Sequence, residues 1–393
     1  MINFLKINDA SAKTIFFRRQ AEKSLVFLQK KLQKPTFCRI VINSIIEKNI
    51  YFQFYFEIGS TFFHLVIQNI ISYRQSLRYI WFFIIFLGIN CTKNSTANQS
   101  YVPLVILANS IVSSPKEIYV DGLIRTYKSY IPLELPEKPS LLLVYHGSNS
   151  DSDSFRKIVG PLLEKKADQS KFIILYLDGY KRHFNDCRKN AKYSANLENI
   201  NDVGFSTAVV RQTGIEIGKD IKSVYALGYS NGGQMVYRLT LESPDFLEGA
   251  VVISANLPIL ENFDCKMSDT KPKYSIAILQ GTLDTINPLS GGEVITPSLQ
   301  SRGKVYSSYE SLEWFNKKLG FDSSMVRVND FYKDTYHSKT FSYHSGSLGS
   351  SLILLDGGGH TVPQENYTFP ETLGQTFRDN KILENALDFV NLK

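Results

Sequence analysis

The chain has 393 residues, of which 43% are apolar, 13% aromatic and 21% charged, enough to bury a large core and too apolar for a disordered, collagen-like or disulfide-framework protein. Its net charge of +7 is local: residues 1–90 hold 12 Lys and Arg against 4 Asp and Glu, whereas residues 91–393 hold 32 against 33. The longer part is therefore neutral, carries no basic stripe, and is not expected to have a nucleic-acid partner.

Residues 1–90 read as a leader. They contain only 2 of the 24 glycines and 1 of the 14 prolines, and so lack the turn punctuation that separates the elements of a folded domain. Either they are a membrane-associated leader, or residues 1–73 are an upstream stretch added by a start codon assigned too early. Segment 74–90 is signal-like. Arg74 and Arg78 precede the apolar run Tyr79 to Ile89, which is of signal-peptide length and well short of the about 20 apolar residues that a spanning helix needs. A signal is read near the true start, so initiation close to Leu77 is the expectation. The run ends in Leu87-Gly88-Ile89-Asn90-Cys91, and a polar stretch follows to residue 101.

That layout resembles a bacterial lipoprotein signal, which implies lipidation of Cys91, a tether over residues 91–101, and a protein held at the periplasmic or cell-surface side of a membrane by its lipid anchor only. The match departs from the common pattern in two places: Leu87 lies four residues before the cysteine rather than three, and Asn90 stands where a smaller residue is usual. An ordinary buried cysteine is the alternative. With Cys91 acylated and Cys38 in the leader, Cys187 and Cys265 remain, as one disulfide or as two reduced thiols.

Residues 102–393 read as one α/β domain. Lys116 to Val120 and Leu123 to Pro132 flank Asp121-Gly122, a hairpin signal. Short apolar runs follow at 141–145, 172–177, 224–227, 250–254, 276–279 and 352–355. Helical segments near 155–165, 205–218, 233–241, 309–319 and 382–390 lie between or after them. Strand-helix alternation predicts a mostly parallel sheet covered on both faces, with the hairpin as antiparallel edge.

In such sheets functional groups gather at the carboxyl ends of strands. After the run 224–227 comes Gly228-Tyr229-Ser230-Asn231-Gly232-Gly233, a G-x-S-x-G sequence between a predicted strand and a predicted helix, the setting of a nucleophile elbow. A serine hydroxyl needs a base to take its proton and an acid to orient that base, in the order Ser, Asp, His. Asp284 follows the run 276–279, and His360 ends Asp356-Gly357-Gly358-Gly359-His360 after the run 352–355. Asp356 is the substitute acid. Of the other histidines, His64 lies in the leader, His183 in a polar loop, and His337 and His344 in an exposed Ser/Tyr/Lys-rich stretch. The expected oxyanion donors are the backbone N–H of Asn231 and that of Ser148, in the loop His146-Gly147-Ser148 after the run 141–145. His146 itself reads as a packed loop residue. Wide cysteine spacing and the lack of a His-x-x-His-type cluster imply no metal, and no cofactor is expected.

These motifs carry a family resemblance. Asp121-Gly122 with Arg125, Tyr127 and Pro132, then 143–147, Asn201-Asp202-Val203-Gly204-Phe205, 228–233, 254–258, Gly281-Thr282-Leu283-Asp284 and 357–361 resemble, in order, the polyhydroxybutyrate depolymerase and feruloyl or acetylxylan esterase group of α/β hydrolases, including its secreted lipoprotein members. The resemblance spans about residues 118–365. It implies an α/β-hydrolase fold, a triad of Ser230, Asp284 and His360, and a small or polymeric ester as substrate. Val362 replaces the family's usual Trp, Asn287-Pro288 its Val-Pro, and Phe184-Asn185-Asp186 its Trp-Asn-Asp. These changes are expected around the acyl or alcohol pocket. An insertion near 290–305 reads as a pocket rim or lid, or as a disordered loop. The function expected is a secreted serine esterase; a serine peptidase of the same fold, or a non-catalytic surface-binding lipoprotein on this scaffold, are the alternatives.

Overall fold

The structure, a computed structural model, describes residues 45–46, 49–58, 61–68, 110–112, 115–333 and 336–392. The signal-like segment, Cys91 and the tether lie outside the described residues. Backbone contacts divide the chain into two units, residues 1–108 and 109–393. In the first, β1 (Ile45–Ile46), β2 (Asn49–Ile58) and β3 (Thr61–Gln68) pair antiparallel. The sequence reading expects no folded element there. The alternative it overlooks is strand propensity: NIYFQFYFEI and TFFHLVIQ are dense in aromatic and β-branched residues, which favour a pleated backbone.

The second unit is built on an eleven-stranded sheet. Its strands are β4 (Ser110–Val112), β5 (Lys116–Val120), β6 (Leu123–Pro132), β7 (Leu141–Tyr145), β8 (Ile173–Leu177), β9 (Val224–Tyr229), β10 (Gly249–Ile253), β11 (Ser275–Gly281), β14 (Arg327–Lys333), β15 (Tyr336–Ser345) and β16 (Leu348–Leu355). A separate hairpin, β12 (Gly292–Ile295) with β13 (Ser301–Val305), occupies the insertion. The sheet order is β14-β15-β16-β11-β10-β9-β7-β8-β6-β4, with β5 paired to β6. The six strands from β16 to β8 run parallel. Antiparallel strands flank them on both sides.

Helices cover both faces: α1 (Ser152–Ser170), α2 (Ser194–Leu197), α3 (Asp202–Ile217), α4 (Asn231–Glu242), α5 (Ser308–Leu319) and α6 (Asn380–Phe389). Alternation along a single strand explains why the strands read as unbroken apolar runs. Leu141, Leu143 and Tyr145 of β7 enter a core shared with Phe205 of α3, Met235 of α4 and Phe315 of α5. Leu142 and Val144 enter the opposite core, with Phe155 of α1 and Leu383 of α6. Polar residues set the helix starts. The Asp151 carboxylate accepts from Ser154 N–H at 2.8 Å to cap α1, and the Asn201 side chain accepts from Gly204 N–H at 2.7 Å to cap α3. A reciprocal Ser307/Glu310 capping box starts α5, and such caps are each worth about 1 kcal/mol.

Two regions differ from the sequence reading. The stretch expected to be an exposed segment around His337 and His344 is strand β15, and with β14 it extends the sheet beyond β16. β14 is exposed along most of its length, so no burial pressure imprints an apolar run on it. β16 begins four residues before its apolar run, because Ser350 and Ser351 sit buried between β11 and β15, with the Ser350 hydroxyl donating to the Asn316 side chain.

Register brings the strand ends together. Tyr145 is opposite Leu177 and Gly228, Ile253 opposite Tyr229 and Leu279, and Gly281 opposite Leu355. The loops that follow β7, β8, β9, β11 and β16 therefore open on one edge of the sheet.

Candidate active site

Ser230 stands between β9 and α4 with φ 54° and ψ −116°, a conformation that costs a non-glycine residue about 1–3 kcal/mol. Its surroundings hold it there. The Ser230 N–H donates to Ile253 O at 2.9 Å, and its carbonyl accepts from Gln234 N–H at 2.9 Å. A Cβ on Gly228 would lie 2.1 Å from Gly232 O, and one on Gly232 would lie 2.2 Å from Tyr145 O, so both flanking positions must be glycine for the turn to close.

The loops after β11 and β16 meet this turn. His360 Nε2 lies 2.8 Å from Ser230 Oγ, and His360 Nδ1 lies 2.8 Å from Asp284 Oδ2. Both His360 and Asp284 are buried. Asp284 is immobilised on all sides: Oδ1 accepts from Ile286 N–H at 2.9 Å and Asn287 N–H at 2.8 Å, and Oδ2 also accepts from Gln280 Nε2 at 3.1 Å. With Nδ1–H committed to the carboxylate, Nε2 is left to accept from the serine hydroxyl. Tyr229 OH donates to His360 O at 2.7 Å and fixes the backbone of the third member. The substitute acid is elsewhere. Asp356 has a 65% exposed side chain, 3.8 Å from His337 Nδ1 and 3.2 Å from Thr282 Oγ1.

The loop after β7 lies against the nucleophile: a Cβ on Gly147 would be 3.5 Å from Ser230 Cβ. The next residue, Ser148, pairs its hydroxyl with Tyr193 OH at 3.0 Å. His146 pins this loop. Its Nε2 accepts from Gly179 N–H at 3.0 Å, so Nδ1 carries the proton and donates to Gly147 O at 2.7 Å. Burial pushes its pKa down to about 4, and the ring stays neutral and outside any proton relay at neutral pH.

Sequence reasoning misses the scaffold under Asn231, the first residue of α4. Its side chain accepts from Phe184 N–H and donates to Phe184 O and to Asp186 Oδ2, the last at 2.7 Å. Asp186 in turn is held by Arg188 Nη2 at 2.6 Å, deep in the interior. Asn185 N–H donates at 2.7 Å to Asp202 Oδ2, and Arg125 Nη2 donates at 2.6 Å to Asp202 Oδ1. The Arg125 guanidinium also lies 4.2 Å from the centre of the Phe205 ring. The hairpin and the Asn201-to-Phe205 motif, 77 residues apart at their ion pair, thus join in one buried network that reaches the elbow. Phe184-Asn185-Asp186 and Asn287, expected around a substrate pocket, are buried parts of the scaffold that holds Asn231 and Asp284, and Val362 is fully buried.

Cys187 and Cys265 are joined in a disulfide that ties the 184–188 segment to residues beyond β10. Closing a loop of 78 residues restricts the unfolded chain, so replacing both cysteines by serine is expected to cost about 2–5 kcal/mol in chemical denaturation. An unchanged midpoint, or a midpoint insensitive to dithiothreitol in the parent, would contradict this.

Among the described residues no group of three or more His, Cys, Asp and Glu could hold a metal ion, and no helix is long and apolar enough to cross a membrane. A six-strand parallel core with antiparallel flanks, a strained serine after β9, an acid after β11 and a histidine after β16 define the α/β-hydrolase fold. No family model matches the chain. It is 26% identical over 293 residues to the Nocardia uniformis subsp. tsuyamanensis protein named "Putative esterase NocK", covering 71% of this chain and 82% of that one. Among solved structures it is similar to an acetyl xylan esterase from Aspergillus awamori, with 17% identity, 63% of this chain and 94% of that one covered, and a TM-score of 0.42. Est1E from Butyrivibrio proteoclasticus is similar at 14% identity, with 63% and 90% covered and a TM-score of 0.35.

Proposed function

We propose that the chain is a serine esterase that hydrolyses carboxylic esters through an acyl-enzyme. The observation that carries this reading is the continuous contact from Asp284 through His360 to Ser230 Oγ, with 2.8 Å at each step, on a serine held in a strained turn. His360 Nε2 takes the hydroxyl proton as Ser230 Oγ attacks the ester carbonyl, and the same nitrogen returns it to the departing alkoxide. Water then attacks the acyl-serine by the same relay and releases the acid. Asp284 keeps the proton on Nδ1 and stabilises the imidazolium that forms at each step. The backbone N–H groups of Asn231 and Ser148 receive the oxyanion: the first opens α4, and the second follows the glycine that lies against Ser230.

The name carried by the Nocardia relative supports an ester over an amide as substrate, as does the resemblance to polyhydroxybutyrate depolymerases and feruloyl or acetylxylan esterases. A chain-length series of p-nitrophenyl esters with feruloyl esters, run beside a peptide panel, tests this. Hydrolysis of esters and not of peptides is the expected result; cleavage of peptides alone would overturn it.

Export and anchoring belong to the same reading. Lipidation of Cys91 with two or more acyl chains holds a protein stably at a bilayer at about 0.8 kcal/mol per buried methylene, where a single chain does not. The native protein is then expected in the membrane fraction, and Cys91→Ala in the soluble fraction, with the esterase activity of both equal. A soluble parent protein, or an intact mass that includes residues 1–70, would refute the anchor without touching the site.

A further inference from the structure

The side of the nucleophile that carries the 147–148 loop is faced by residues that the triad does not use. Tyr193, just before α2, shares a hydroxyl contact of 3.0 Å with Ser148, the residue after the glycine that abuts Ser230. Its ring is stacked on His183 with 4.0 Å between centroids, and the guanidinium of Arg302, on β13, lies 4.4 Å from the same ring. Three separated segments, the loop after β8, the approach to α2 and the β12–β13 hairpin, thus converge beside the site. The hairpin is fixed in place: Asn262 Nδ2 donates to Arg302 O at 3.1 Å and to Lys304 O at 3.0 Å, and Tyr306 N–H donates to Leu257 O at 2.8 Å.

The charges around this cluster are unevenly matched. Lys181 is paired with Glu198, Arg182 with Asp151, and Arg188 with Asp186. Arg302 has no carboxylate partner among the described residues. Its Nη2 donates to the neutral Gln300 side chain at 2.8 Å, and its Nε is buried without an acceptor. A guanidinium placed on a ring, with no carboxylate beside it, is suited to a planar anion received at its Nη groups, since the buried Nε lies out of a substrate's reach. Burial, followed by the charges of Arg302 and Arg182, lowers the pKa of His183, so at neutral pH its ring adds no charge beside Arg302.

We propose that Arg302, positioned by Tyr193 beside Ser148, is a specificity-determining subsite that selects esters bearing a carboxylate a few bonds from the scissile carbonyl. The proposal rests on the esterase reading and adds to it the charge of the substrate. The carboxylate can belong to the acyl part, as in a hemiester of a dicarboxylic acid, or to the alcohol part, as in an acylated hydroxy acid, and matched substrates separate the two. For the acyl side the pair is p-nitrophenyl hydrogen glutarate against p-nitrophenyl pentanoate; for the alcohol side it is O-acetyl-lactate against O-acetyl-lactamide.

In one of the pairs the parent enzyme is expected to favour the anion in kcat/KM, and Arg302→Gln to lose about tenfold or more on that anion, the scale of one charge-assisted contact, while its neutral counterpart changes less than about twofold. Added salt should erode the parent's preference and leave the variant unaffected. Equal loss on anionic and neutral esters, or no anion preference in either pair, would overturn the subsite while leaving the esterase reading standing. Failure to hydrolyse any ester, neutral or anionic, would instead sink the esterase reading. In that case glutarate itself decides the subsite: a thermal shift in the parent that is lost in Arg302→Gln supports it, and equal shifts refute it.

Discussion

Ser230→Ala is expected to lower ester turnover by roughly 10⁴- to 10⁶-fold, leaving only binding and the oxyanion donors to act on substrate. The protein should remain folded with a thermal midpoint close to that of the parent. Alanine is no more strained than serine at φ 54°, and the hydroxyl's one partner in the site, the His360 ring, is still held by Asp284. Rates measured with p-nitrophenyl acetate, on material checked by circular dichroism, give the comparison. Retention of more than about a tenth of the activity would remove Ser230 from the nucleophile's role, since no triad enzyme tolerates that loss so lightly.

Asp284→Asn should cut turnover by roughly 10⁴-fold, and Asp356→Asn by no more than about twofold. The reason lies in the hydrogen bonds. Asp284 Oδ1 is occupied by two backbone N–H groups, at 2.9 and 2.8 Å, and Oδ2 receives both Gln280 Nε2 and His360 Nδ1. An asparagine amide in that place must turn a donor towards one of these donors. If it faces His360, the imidazole proton moves to Nε2 and can no longer leave that nitrogen free to accept from Ser230. If its oxygen faces His360, its NH2 confronts the backbone N–H groups of Ile286 and Asn287, and stability falls. Asp356 touches neither His360 nor Ser230, and its partners are Thr282 and His337. A reversed order of effects would reassign the acid to Asp356.

Much of the arrangement at the sheet edge is legible in the sequence because it is local. Gly228 to Gly233 declares a turn between an apolar run and a helix, and Asp284 and His360 each follow an apolar run within a few residues, so strand ends alone place them at a common edge. The hairpin at Asp121-Gly122 is equally local. What the sequence conceals is polar and distant. Gln280 and Asn287 hold Asp284 from a strand interior and a loop, yet a glutamine in a strand carries no mark that distinguishes it from a surface residue. Asp186 and Arg188 form a buried pair into which Asn231, 45 residues away from Asp186, reaches. Arg302 meets Tyr193 through a hairpin whose Gly- and Ser-rich sequence reads as a rim, a lid or a disordered loop. β14 escapes notice for a different reason, since an edge strand exposed along its length has no apolar periodicity to display, and the buried positions of β15 are serines, Ser338 and Ser342.

Chemical activation of Ser230 is read by an active-site label without requiring the natural substrate. A fluorophosphonate probe reacts with a serine whose proton a neighbouring base can take, and the adduct is located by intact-mass analysis and peptide mapping. One adduct per chain is expected, on Ser230, absent from Ser230→Ala and strongly slowed in His360→Ala. No labelling of the folded protein, or labelling that survives in Ser230→Ala, would contradict it.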